Sequence, residues 1–123
     1  LVEDGNIDCY GFQAHYQVQN NSPSIRSIET AMKRITGMGL KLRISELDIE
    51  ITQNVPQSHE YQAVRYTELM NLFVKYADDI LAVQVWGVTD DLSWKANRYP
   101  LLFDRKVQPK PAFFALIEDV LPQ

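Results

Sequence analysis

Leu40-Lys41-Leu42-Arg43-Ile44-Ser45-Glu46-Leu47-Asp48-Ile49 reads as a strand. Its apolar residues alternate with polar ones, and its last third carries two carboxylates where a core strand should stay apolar. Side chains on a strand alternate faces, so Glu46 and Asp48 are expected to share one side.

Upstream, residues 7–15 (Ile-Asp-Cys-Tyr-Gly-Phe-Gln-Ala-His) form a short apolar run expected to be a buried strand. A polar loop over residues 17–22 follows. Pro23 is expected in the first turn of a helix whose apolar face is Ile25, Ile28, Met32 and Ile35, with Gly37 and Gly39 ending it. Downstream of the central strand, Ser58 is expected to cap a longer helix with Tyr61, Val64, Leu69, Leu72, Phe73 and Tyr76 on its apolar side. Residues 80–88 read as a third strand. After a long polar and aromatic segment to Lys110, Pro111 opens a last helix over 112–120 that buries Phe113, Leu116, Ile117 and Val120. Met32, Met38 and Met70 are expected to serve packing.

Strands alternating with helices imply an α/β fold with a parallel sheet and crossover connections. Three strands are few for a closed domain, since a (β/α)8 barrel takes about 250 residues, so roughly half of one is expected here. The start, Leu1-Val2-Glu3-Asp4-Gly5, reads as the end of a helix with Gly5 at its C-cap and lacks an initiator methionine. The chain is therefore expected to be a piece of something longer.

Of the 123 residues, 46% are apolar and 23% charged, an ordinary globular composition for one domain at most. A net charge of -4 gives no footprint for nucleic acid or an anionic membrane surface, and no apolar run is long enough to span a bilayer. Cys9 has no partner for a disulfide or a zinc site and is expected to be a small buried hydrophobe. No metal or cofactor is called for.

In parallel α/β folds the ligand site lies at the carboxyl ends of the strands. Gln13 and His15 are expected on one side of the first strand, Glu46 and Asp48 on one side of the second, and Trp86 at the end of the third. His15 could hydrogen-bond Glu46 through one ring nitrogen and Asp48 through the other, fixing the ring and holding Glu46 charged. Taken singly, each residue has a plainer reading: a structural histidine, a solvated loop acid beside Asp48 and Glu50, or tryptophans 86 and 94 in the core.

Gly11-Phe12-Gln13-Ala14-His15, Ile44-Ser45-Glu46-Leu47-Asp48 and Trp86-Gly87-Val88-Thr89-Asp90-Asp91-Leu92-Ser93-Trp94 resemble, in order and spacing, the sixth, seventh and eighth strand motifs of the family 10 glycoside hydrolases. The resemblance continues through Pro100-Leu101-Leu102-Phe103-Asp104 and Lys110-Pro111-Ala112-Phe113. It implies that residues 1–123 are the carboxyl-terminal segment, about strands 6 to 8 with their helices, of a retaining endo-1,4-β-xylanase barrel. It further implies Glu46 as nucleophile, His15 and Asp48 as the relay orienting it, and Gln13, Trp86 and Trp94 as substrate-binding residues for xylan or xylo-oligosaccharide. Secretion, or a cell-surface or periplasmic location, is implied because xylan cannot enter a cell.

Departures are mild: Ser45 stands where Thr is frequent, Ala14 where Ser is, and Lys95 where Arg often follows the Ser-Trp pair. A larger departure is that the family's acid/base glutamate follows an asparagine, and no Asn-Glu pair occurs here. Glu50, beyond the strand, and Asp90 and Asp91, in a loop, are poor substitutes. The expected partner is the amino-terminal part of the same barrel, as a separate chain or segment, and Glu46 alone should be inert. The rival expectation is a non-catalytic carbohydrate-binding barrel remnant.

Overall fold

The computed structural model describes residues 1–19 and 22–120. Its elements are β1 (Cys9–Phe12), β2 (His15–Gln17), α1 (Ile25–Thr36), β3 (Lys41–Glu50), α2 (Pro56–Lys75), β4 (Ile80–Val85) and α3 (Pro111–Asp119). Two short 3-10 turns, Asp90–Leu92 and Ala96–Arg98, interrupt the long segment before α3. Of the expected polar loop, Asn20 and Asn21 lie outside the described residues.

The named strands pair in parallel throughout. β3 is central, with β4 along one side and β1 and β2 end to end along the other. The single strand expected over 7–15 is thus divided at Gln13 and Ala14. Ala14 sits at φ 68°, a left-handed conformation that breaks the pleat. Hydrogen bonding nonetheless runs on across the break, from Glu46 N to Gln13 O and from Asp48 N to Ala14 O.

One face of the sheet carries the helices. Leu42, Ile44, Leu47 and Ile49 of β3 are buried with Ile28 and Met32 of α1, Leu69, Leu72 and Phe73 of α2, and Ala112 and Leu116 of α3. Fully burying each large apolar side chain is worth about 1.5–3 kcal/mol, so this seam fixes which way β3 faces. On the other face Arg43 donates to Gln84, and both are exposed. A parallel sheet normally has both faces covered.

Several expectations need correction. α1 is capped by Ser24, whose Oγ accepts from Ser27 N, and Pro23 precedes the helix. α2 begins at Pro56 rather than after Ser58, because proline's fixed φ suits the first helical position. Its buried face contains Gln62 and Arg65, while Tyr61 and Val64 are exposed. Gln62 is drawn inward because its amide donates to the carbonyls of Ile49 (2.5 Å) and Tyr99 (2.7 Å), which would otherwise be poorly satisfied. Met38, Val88 and Ile117 are exposed and Cys9 is half-buried, since none lies under a packing element.

Candidate active site at the strand ends

The site begins with an irregularity in β3. Phe12 pairs with Ile44 and His15 with Asp48, so β3 spends one residue more than its neighbour between these pairs. The pairing with β4 shifts over the same stretch, between Ile44 and Leu47. β3 therefore bulges at Ser45 and Glu46, and bulges are used beside active sites to re-aim a side chain. The bulge lets Ile44 and Leu47 both reach the helix-covered core while Glu46 and Asp48 turn toward the other side. Ser45 Oγ donates to Phe12 O and ties the bulge to β1.

His15 opens β2 directly after the Ala14 kink, in register with Asp48. Its Nε2 lies 3.0 Å from Glu46 Oε2, and its Nδ1 lies 3.0 Å from Asp48 Oδ1. Ionised carboxylates only accept, so the ring engages Glu46 as a donor. The contact with Asp48 has the distance of an ion pair without the alignment of a hydrogen bond. The side chain of Asp48 is 0% exposed, against 18% for His15 and 24% for Glu46. A sealed carboxylate needs donors. One comes from the indole of Trp94, whose Nε1 is 2.7 Å from Asp48 Oδ2. The Trp94 ring also meets His15 edge-on, with centroids 4.8 Å apart.

Four of the six expected site residues, His15, Glu46, Asp48 and Trp94, form this contiguous cluster. Trp86 follows β4, its backbone N–H bonded to Leu47 O, and the residue is 42% exposed. Gln13 contributes its carbonyl to Glu46 N, while its exposed side chain makes no hydrogen bond to the other five among the described residues. The strand alternation expected to set Gln13 and His15 on one side is interrupted by the kink at Ala14; His15 is placed by its register with Asp48 instead.

Two of the three doubtful acids, Asp90 and Glu50, are engaged elsewhere. Asp90 is buried and accepts from Lys110 Nζ (3.0 Å) and from Leu101 N (2.8 Å). Glu50 is the last residue of β3, not beyond it, and pairs with Lys95 Nζ at 3.0 Å. Neither pairing was legible beforehand; the only hint was that Asp90, Lys95 and Lys110 stand inside or beside the quoted motifs. A cavity of about 320 Å³ among Asn54, His59, Tyr99, Asp104 and Lys110 contains none of the six site residues. Burial, with Lys110 nearby, holds the His59 imidazole below its usual pKa.

The fold and cluster define part of a parallel α/β barrel with a histidine held between two carboxylates at its strand ends. A family model for glycosyl hydrolase family 10 matches residues 1–119, and the chain belongs to that family, whose members are (β/α)8 barrels; this chain covers part of one. It is 37% identical over 113 residues to the bifunctional endo-1,4-β-xylanase XylA of Ruminococcus flavefaciens, covering 92% of this chain and 11% of that protein. It is 34% identical to an endo-1,4-β-xylanase of Geobacillus stearothermophilus, covering 90% of this chain and 38% of that protein. Among solved structures, the intracellular xylanase TsXylA of Thermoanaerobacterium saccharolyticum, as a mutant with xylotetraose, superposes with TM-score 0.85 at 33% identity, over 93% of this chain and 35% of that one. The chain spans 10 to 12% of the length of the first curated relatives it matches.

Proposed function

We propose that this chain supplies the nucleophile half of a retaining endo-1,4-β-xylanase. Glu46 attacks the anomeric carbon of a xylosyl unit, the bond to the leaving oxygen breaks as that oxygen takes a proton from a second carboxyl, and a glycosyl ester forms. Water, deprotonated by that same carboxyl, then hydrolyses the ester. The second carboxyl belongs to the amino-terminal part of the barrel, which stands about 5 to 5.5 Å from the nucleophile in retaining enzymes.

The observation that carries this reading is the hold on Glu46. His15 engages Oε2, while Oε1 has no hydrogen-bond partner among the described residues and is left for the sugar. Asp48 fixes the far side of the ring, an arrangement that keeps the nucleophile oriented at no cost during the reaction. Trp86 and Trp94, 42% and 61% exposed, offer apolar faces suited to a pyranose. A binding-only remnant is not favoured, because recognition alone does not require the Glu46–His15–Asp48 relay.

A polymeric substrate must be met outside the cell membrane, so we place the enzyme as secreted or surface-bound. The TsXylA relative is described as intracellular, and an oligosaccharide substrate would permit that location. Fractionation of the producing cells distinguishes the two.

The deciding experiment uses the full-length protein on xylohexaose, with the anomer released first followed by proton NMR. The β-anomer first, together with loss of turnover in Glu46→Gln, is expected. An α-anomer first, or near-normal turnover in Glu46→Gln, would overturn the proposal.

A further inference from the structure

Trp94 poses a problem of support. It is 61% exposed and stands in the segment between two short 3-10 turns, so packing does not hold it. Yet its indole N–H must stay on Asp48 Oδ2, and its edge on His15. A ring that exposed would ordinarily sample other rotamers.

The remaining contact is a cation. Lys95 Nζ lies 4.7 Å from the centroid of the Trp94 ring, and the same nitrogen is 3.0 Å from Glu50 Oε2 at the end of β3. The side chains of Lys95 and Glu50 are only 28% and 16% exposed, so the pair is better shielded from solvent than a surface ion pair. Glu50 lies two residues beyond Asp48 on the same strand, in register with Gln17. The ammonium is thus anchored to the rigid strand that carries both carboxylates, and it holds the loop's aromatic ring to that strand.

Resting on the function proposed above, we infer that Lys95 and Glu50 are positioning residues. They brace Trp94, and through its indole N–H they steady Asp48 and His15 behind Glu46. Contacts then run from Glu50 to Lys95, Trp94, Asp48, His15 and Glu46 without a gap. Lysine does this as a point charge, placed over the ring and against a carboxylate at once.

The test is made on the full-length protein, with the Trp94 indole resonance assigned by its loss in Trp94→Phe. In the unliganded protein, Lys95→Met and Glu50→Gln are expected to shift or broaden that resonance, while Lys95→Arg keeps it near its original position. In steady-state cleavage of xylohexaose, Lys95→Met is expected to raise KM between about twofold and thirtyfold, the range of one cation–π contact. In a Trp94→Ala background the same substitution should add less than about twofold, because the brace has no ring left to hold.

An unmoved indole resonance in Lys95→Met, or a full KM effect in the Trp94→Ala background, overturns the inference. If the resonance responds as expected but the unaltered protein cleaves no xylo-oligosaccharide, the brace stands and the proposed activity falls.

Discussion

The indole N–H of Trp94, on an exposed loop, reaches 2.7 Å to a carboxylate oxygen of Asp48, whose side chain is wholly buried. This one bond joins the segment after β4 to the centre of β3. It makes Trp94 a donor to Asp48, beside the role of sugar face proposed for it. Asp48 is held from two sides, by the indole on Oδ2 and by His15 on Oδ1. What Asp48 contributes is therefore orientation and charge behind His15.

Replacing that charge while keeping the shape isolates its role. Asp48→Asn should lower kcat on xylohexaose by about 10- to 100-fold, since the Trp94 hydrogen bond to a charged acceptor, worth about 1.5–3 kcal/mol, is weakened and the His15 contact loses its charge. KM should change little, because Asp48 is sealed from the sugar. Steady-state kinetics of the full-length variant check this, and an unaltered kcat would remove Asp48 from the relay.

Gly87 sets the path of the chain just past Trp86. Its φ is +135°, and a Cβ there would stand 2.7 Å from Cδ1 of the fully buried Leu101. Gly87→Ala combines a backbone conformation that side chains rarely adopt with overpacking, costing together about 2 to 4 kcal/mol. Urea unfolding should show a lower midpoint at unchanged slope. Weaker xylo-oligosaccharide binding should accompany it as Trp86 is displaced.

The order of strands and helices was legible because apolar spacing reports which faces are covered. The face shared by Glu46 and Asp48 was legible for the same reason, since both lie at or past the bulge and simple alternation still holds between them. The bulge itself and the kink at Ala14 were not, because an extra residue shows only against the register of a neighbouring strand. On α2, the sequence pattern favoured Tyr61 and Val64 for burial, but the buried carbonyls of Ile49 and Tyr99 recruit Gln62 instead. Such demands arise from distant backbone and leave no trace in local periodicity.

Glu29 ties α1 to the end of α2. Its Oε1 accepts from Lys75 Nζ and from Tyr76 Oη, each at 2.7 Å, and Lys33 Nζ lies at 3.3 Å. Lys75 first, then Tyr76, lower the Glu29 pKa from 4.5 to about 2. A carboxyl depressed on folding stabilises the protein above its unfolded pKa, and that contribution is lost as pH falls through the folded value. Part of the acid-side loss of stability between pH 4.5 and about 2 should therefore come from Glu29. Urea midpoints measured across that window should fall less steeply in Glu29→Gln than in the unaltered protein; parallel curves would exclude the linkage.

Lys110 and Asp90 form a buried pair, 4% and 2% exposed at the side chain, with Nζ 3.0 Å from Oδ2. The pair also closes the loop: Lys110 Nζ donates to Tyr99 O at 2.8 Å, and Asp90 Oδ1 accepts from Leu101 N at 2.8 Å. Burial lowers the Lys110 pKa more than the attraction of Asp90 raises it, so desolvation outweighs the Coulombic gain. A pair of this kind costs little to replace whole and much to break. Lys110→Met alone strands the Asp90 carboxylate and should cost about 3–5 kcal/mol. Adding Asp90→Leu removes the stranded charge, leaving Leu101 N–H short of a partner at about 1–3 kcal/mol, while Tyr99 C=O still accepts from Gln62. Urea unfolding should rank the unaltered protein first, the double variant second and Lys110→Met last. A double variant no more stable than Lys110→Met would mean that the pair's worth lies in its two backbone bonds rather than in the match of charges.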